Sequence, residues 1–390
     1  MKRRLSIKRL VSTILLSALA LITVTACAGN TNEGDGDTIK IGSLAPLTGP
    51  VSVYGIAASN GVKLAIEEIN AAGGVNGKLI ELVLLDEKGD EQEAITAFNR
   101  LVDEHEIVAL LGDVTTKPTI AVAQRAAGIN LPMLTATATG TEVTLQGDNV
   151  FRVCFIDPDQ GVLMATYAKD YLNAESAAII YNAADDYSQG LAKAFEDQAK
   201  EIGLNVTAVE SYPGDTTNFS TQLTRIAQEK PDVLFVPDYY GTNILILQQA
   251  RSAGIDGAIL GGDGWDGILT QVDESNPTEA DGVYFTNHFF DGDTSKTVTD
   301  FIAAYEAKYG DKPISFSALG YDSAYMMVEA IKKAESTESQ AIIDALSTLS
   351  YDGVTGQLSF EGSGDPNKEV AVIQIENGKY QLEETLKIVR

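Results

Sequence analysis

Residues 110–144 read LLGDVTTKPTIAVAQRAAGINLPMLTATATGTEVT, and two apolar runs meet the same kind of turn there. Ile107 to Leu111 is apolar, stops at Gly112 and gives way to Asp113-Val114-Thr115-Thr116. Pro118 suits the first turn of a helix, and Thr119 to Ala127 has helical composition. Leu131 to Leu134 is the second apolar run and ends in Thr135-Ala136-Thr137-Ala138-Thr139-Gly140. Strand, hydroxyl-rich turn, helix, strand, hydroxyl-rich turn: this is one unit of a parallel α/β sheet. In such a sheet both turns lie at the carboxyl ends of strands, where open sheets bind ligands. Helix N-termini there carry N–H groups without helical partners. Threonine hydroxyls beside them can hold a carboxylate with no cationic side chain. A single threonine can equally be a helix cap. Two such turns, one unit apart, favour a ligand.

Outward from this unit the same alternation continues. Upstream, TIKIGSLAPLTG is a strand running into a Gly/Pro loop, and ASNGVKLAIEEINAAGG is an amphipathic helix with a glycine stop. KLIELVLLDEKGD and EQEAITAFNRLVDEH supply the next strand and helix. Downstream, FRVCFIDPDQ breaks the rhythm at Asp157-Pro158-Asp159, a natural crossover, and a second strand–helix series runs to GVYFTNHFFDGD. Helices in TVTDFIAAYEAKYG and SALGYDSAYMMVEAIKKA follow, and the tail from Gly353 reads as strands with Gly/Asn turns. Two βα series of similar length imply two doubly wound lobes. The expected division is 38–157 with 288–360 for the first lobe and 158–287 with 361–390 for the second.

The start of the chain is not part of the fold. Lys2, Arg3, Arg4, Lys8 and Arg9 precede an apolar core, Leu10 to Val24, too short to span a membrane as a mature helix. Val24-Thr25-Ala26-Cys27 resembles the bacterial lipobox, so residues 1–26 read as a leader and Cys27 as a lipidated first residue. Residues 27–37 are a polar, glycine-rich tether. Removing the leader takes five bases and no acids from a chain of net charge −27, leaving about −32 (23 − 55). That surface argues against nucleic acid or anionic phosphates as partners. Cys154 is then the remaining thiol and sits in the apolar run VFRVCFI, as a small core residue does.

Other chemistry finds little material. Residues 262–267, GDGWDG, match G-x-G-x-x-G, but they stand late in the second series, and Asp263 would point a carboxylate at a pyrophosphate. A glycine-rich turn presenting Asp263 is the better account. Asp86, Asp90 and Gln92 resemble a calcium loop only loosely, because Lys88 and Ala97 occupy ligand positions. His105 sits in a charged helix end, His288 is isolated, and no nucleophile elbow accompanies either. No metal, no cofactor and no catalysis are expected. Binding without turnover is favoured.

Taken in order, the lipobox, IGSLAPLTGPVSVYG, GVKLAIEEINAAGGVNG, LLDEKGD, LLGDVTT, LPMLTATAT, DDYSQG, PDYYG and GGDGWDG resemble the leucine/isoleucine/valine-type solute-binding proteins of ABC importers. The resemblance spans roughly Thr38 to Ile388. It implies a type I periplasmic-binding fold, two α/β lobes joined by three crossovers and closing on a ligand. It also implies an extracytoplasmic, lipid-anchored monomer that serves a permease and ATPase complex. Carried over by position, the ligand carboxylate meets the hydroxyl of Thr116, backbone groups of Thr137, and the hydroxyl and N–H of Thr139. Asp263 meets the ammonium, Tyr54, Tyr187 and Tyr239 form aromatic walls, and Phe289, or Phe290 beside it, completes the side-chain pocket. Threonine at 116 and 137 departs from the commoner small residues, and the added methyls narrow the pocket.

The residues make the same case without the resemblance. A zwitterion needs donors for its carboxylate, one acid for its ammonium and an apolar pocket for its side chain. Hydroxyls and helix N-termini supply the first from one lobe; Asp263 and the tyrosines supply the rest largely from the other. The expected ligand is a branched-chain or other apolar amino acid. The rivals are an amide, urea or aromatic acid on the same fold, or a sensor that presents ligand to a membrane receptor.

Overall fold

The computed structural model describes residues 38–387. The leader, the tether and Cys27 lie outside the described residues. In the first series β1 (Ile39–Ala45), α1 (Ser52–Ala71), β2 (Ile80–Asp86), α2 (Glu91–Asp103), β3 (Ala109–Leu111), α3 (Thr116–Gly128), β4 (Met133–Thr135) and β5 (Val150–Arg152) follow one another. Their strands form a parallel sheet in the order β2-β1-β3-β4-β5. The second series comprises α4 (Asp157–Asp170), β6 (Ser176–Asn182), α5 (Asp186–Ile202), β7 (Asn205–Tyr212), α6 (Ser220–Glu229), β8 (Val233–Phe235), α7 (Tyr240–Ser252), β9 (Ala258–Gly261) and β10 (Val283–Asn287). Strands β7-β6-β8-β9-β10 are parallel.

Continuous apolar runs in these strands reflect burial on both faces. Ile180, Leu234 and Ile259 enter one core, while their neighbours Ile179, Phe235 and Leu260 enter another on the opposite face.

The remaining elements are α8 (Lys296–Tyr309), α9 (Ser315–Ala334), α10 (Ser339–Leu346), and the short strands β11 (Ser350–Gly353), β12 (Gly356–Phe360) and β13 (Pro366–Asn367). They are followed by an antiparallel hairpin, β14 (Glu369–Glu376) and β15 (Lys379–Lys387), which extends the second sheet beside β10. Asn377 and Gly378, both at positive φ, form its two-residue turn. Helix α9 packs on α1 at close range. A Cβ on Gly61 would stand 2.0 Å from the Ser317 carbonyl oxygen, and one on Gly320 2.2 Å from that of Ala58. That approach brings the first turn of α9, with Phe316, against Tyr54 of α1, their rings stacked at 4.0 Å.

The chain crosses between the lobes at Val153–Ile156 and at His288–Ser295, and a third time later than 360. Strand β13 pairs with β12, and Arg152 N–H donates to the Gly364 carbonyl at 3.0 Å, so residues 361–367 stay with the first lobe. The buried Arg152 guanidinium also meets Asp365 at 2.7 Å. The third crossing is therefore Lys368. Its ammonium is buried and donates to the Thr355 carbonyl at 2.8 Å and hydroxyl at 2.6 Å.

Candidate functional site: a cleft with two unlike faces

On the first face, β3 ends at Gly112 and Thr115 stands at the N-cap of α3. Thr116, the first residue of that helix, is buried, and its hydroxyl oxygen accepts from Gly140 N–H at 3.1 Å. The Thr116 hydrogen is left to donate, beside helix N–H groups that lack helical partners. Thr137 spends its hydroxyl on the Val114 carbonyl at 2.7 Å, and Thr135 spends its own on that of Asp113 at 2.6 Å. These two bonds lock the hydroxyl-rich turns together and leave Thr137 its backbone groups. Thr139 bonds through its side chain to Asp157, whose N–H donates to the Thr139 carbonyl at 3.0 Å. From behind, Arg152 holds the second turn by donating to the carbonyls of Ala138 at 2.8 Å and Gly140 at 2.9 Å. Two acids back the first turn, Glu87 and Asp113, both wholly buried. Burial raises the Glu87 carboxyl to about 7, with the charges of Asp86 and Asp90 adding to it, and burial pushes Asp113 well above its usual range, worsened by the charge of Glu87.

On the second face, β9 ends in glycine and a 3₁₀ turn carries Asp263. A hydrogen-bond cage fixes its carboxylate: Gln160 Nε2 and the Tyr187 hydroxyl each donate to Oδ1 at 3.0 Å, and His288 Nε2 lies 3.3 Å from Oδ2. Gln160 also accepts from Asp263 N–H at 2.8 Å. Tyr187 and Tyr239 stack at 4.9 Å, Tyr54 meets Tyr239 edge-on at 5.9 Å, and the Tyr239 hydroxyl is buried without a partner among the described residues. Burial pushes all three phenols well above their ordinary range, so they act as neutral groups. The Tyr54 hydroxyl bridges the lobes: it donates to the Gly264 carbonyl at 2.5 Å and accepts from Tyr240 N–H at 3.1 Å.

These faces meet in a small cavity of about 10 Å³ lined by Thr116, Thr137, Thr139, Tyr187, Tyr239 and Asp263 among the expected residues. Tyr54 stands directly behind, through its contacts with Gly264, Tyr239 and Phe316. Phe316 and the backbone of Gly264 also line the cavity, and the sequence reading named neither. Phe289 does not line it. Its ring packs with Leu64, Val298 and Phe301 beside the second crossover, and Phe290 lines a separate, larger cleft of about 940 Å³. Phe316, which helix packing brings in from α9, stands in the lining where Phe289 was expected. Asp238, the other acid of the second face, turns to the Tyr212 hydroxyl and Tyr239 N–H and is absent from the lining. His288, isolated in the sequence, is a neighbour of Asp263. Among the described residues no cluster of three or more His, Cys, Asp or Glu is placed to hold a metal ion.

Leu/Ile/Val-binding protein homolog 3 of Brucella melitensis is 30% identical to this chain over 357 residues, 90% of this chain and 94% of that protein. The leucine-, isoleucine-, valine-, threonine-, and alanine-binding protein of Pseudomonas aeruginosa is 26% identical, covering 84% and 87% respectively. Among solved structures, the branched-chain amino acid transporter substrate-binding protein LivJ of Streptococcus pneumoniae, in complex with isoleucine, is similar with a TM-score of 0.84 and 34% identity, over 90% of this chain and 100% of that one. The model of the periplasmic binding protein family matches residues 38–379. With two parallel-sheet lobes, three crossovers and a cavity between them, this chain belongs to the periplasmic binding protein family and has its type I fold.

Proposed function

We propose that this protein captures a branched-chain or other apolar amino acid between its lobes and delivers it to an ABC importer without changing it chemically. One observation carries the reading: neutral donors on one face and a single caged carboxylate on the other converge on a cavity walled by aromatic rings. The zwitterion then binds with its carboxylate toward Thr116, Thr137 and Thr139, its ammonium on Asp263, and its side chain among Tyr187, Tyr239 and Phe316. Tyr54 supports that wall. An aromatic acid without an amine would leave Asp263 unpaired in a desolvated cleft, at a cost of about 1–3 kcal/mol or more. Names of relatives and of a neighbour bound to isoleucine support the same class.

Outside the cytoplasm the mature chain is a monomer tethered by lipid on Cys27, and its closed form is what the permease and ATPase complex receives. Among the described residues no helix is long and apolar enough to cross a membrane. Screening the purified protein by thermal shift against amino acids, then following retention of radiolabelled ligand, tests the reading. An apolar amino acid should stabilise the protein and be recovered intact. Recovery of a converted product, or stabilisation by an amide, urea or aromatic acid alone, would overturn it.

A further inference from the structure

His288 stands where the three crossovers and the site meet. It opens the second crossover, and its side chain is fully buried. Its ring stacks on Phe155 of the first crossover, centroids 3.6 Å apart and 19° between planes. The charge of Lys368, the third crossover, reaches it. Its Nε2 reaches Asp263 Oδ2 at 3.3 Å. A carboxylate only accepts, so the imidazole hydrogen sits on Nε2 and is donated to it. Burial lowers the imidazole to about 4, against the opposing pull of Asp263, so the ring is neutral near pH 7. Neutrality matters for the ligand. An imidazolium would offset the Asp263 charge that an ammonium needs, whereas a neutral ring orients the carboxylate and leaves its charge free.

The other donors in the cage, Gln160 and Tyr187, sit on α4 and α5 of the second lobe, the lobe that carries Asp263. His288 alone of the three belongs to a segment that a hinge rotation must bend. Any contact that exists in one arrangement of the lobes and weakens in another biases their equilibrium, and a ligand on the same acid shares that bias.

We propose that His288 is a positioning residue that couples the ammonium partner Asp263 to the crossovers, so that occupancy of Asp263 and the closed arrangement of the hinge favour each other. This rests on the reading of the ligand as an amino acid. The chain has two histidines, and His105 lies beyond the end of α2, away from the site. Nitrogen NMR of the mature protein labelled on histidine therefore has an internal control. Isoleucine should shift the His288 ring signals, with the hydrogen on Nε2, and leave those of His105 in place. Two variants separate the ring's roles. His288→Phe keeps the stacking on Phe155 and removes the donor; His288→Gln keeps a donor near Nε2. Calorimetry should show His288→Phe weakening isoleucine by about 10-fold, the scale of one hydrogen bond to a charged group, and its des-amino analogue by less than about 3-fold. His288→Gln should recover most of the lost affinity. Equal loss for both ligands in His288→Phe, or unmoved His288 signals on saturation, would overturn the coupling. A parent protein that binds no amino acid would overturn the functional reading itself, and that result is distinct from both.

Discussion

The two faces of the cleft are built from opposite materials. The first presents hydroxyls, backbone N–H groups and a helix start, and its acids, Glu87 and Asp113, lie behind the turn. The second presents one carboxylate in the cavity, held by three neutral donors. Each face suits one end of a zwitterion, and neither suffices alone. A ligand that satisfies both must bridge the lobes, so selection for an amino acid and closure of the cleft arise from the same asymmetry.

Removing the charge of the second face has the largest expected effect. Asp263→Ala should weaken amino-acid binding by roughly 30-fold to several thousand-fold, because one partner of a desolvated charge pair is lost. Thermal melts of the variant check that the cage residues still fold. On the first face, Thr116→Val removes the donor proposed for the ligand carboxylate, together with the acceptor of Gly140 N–H, and should cost about 10-fold or somewhat more, measured by the same titration. Phe316→Leu touches neither polarity. Loss of the stack on Tyr54 should cost about 2-fold to 10-fold for an apolar amino acid, and less for a smaller one.

The last effect concerns stability rather than affinity, and it tests whether the acids behind the first face are structural. Glu87 has its folded value raised to about 7 from an ordinary 4.5, so the folded form binds more protons than the unfolded one between those values. Its contribution is intact below pH 4.5 and is lost as pH rises toward 7 and beyond. Glu87→Gln removes that loss. Its melting temperature should match the parent near pH 5 and exceed it at pH 8, the underlying gain in stability being about 1–3 kcal/mol at most. Comparison with the parent is needed because neutral His288 titrates in the opposite sense over a similar range. A difference that stays constant across pH would place the shifted titration on another group.

Local signals made much of this legible in the sequence. Glycine and threonine turns at strand ends, spaced by one βα unit, announce the first face. Asp263 is announced by standing between glycines after an apolar run. What escaped was set by long-range packing. Phe316 reaches the cavity only because Gly61 and Gly320 let α1 and α9 approach closely, and nothing near residue 316 says so. The resemblance puts Phe289 or Phe290 at the pocket by position, yet crossover backbone has no periodicity from which to read which side chain faces the ligand. His288, its neighbour, is the one that turns to Asp263. The late third crossing depends on Arg152 and Lys368, whose burial is invisible without their partners Asp365 and Thr355. Helix α10, eight residues long, is too short for periodicity to declare itself.

The asymmetry of the faces is tested most directly by crossing two ligands with two variants. Isoleucine and its des-amino analogue are titrated calorimetrically into the parent, Asp263→Asn and Thr116→Val. The account predicts that Asp263→Asn erases most of the parent's preference for isoleucine over the analogue, while Thr116→Val weakens both ligands by a similar factor and preserves the preference. A preference that survives intact in Asp263→Asn would contradict the account and move the ammonium to another acid, with Asp238 the first to examine.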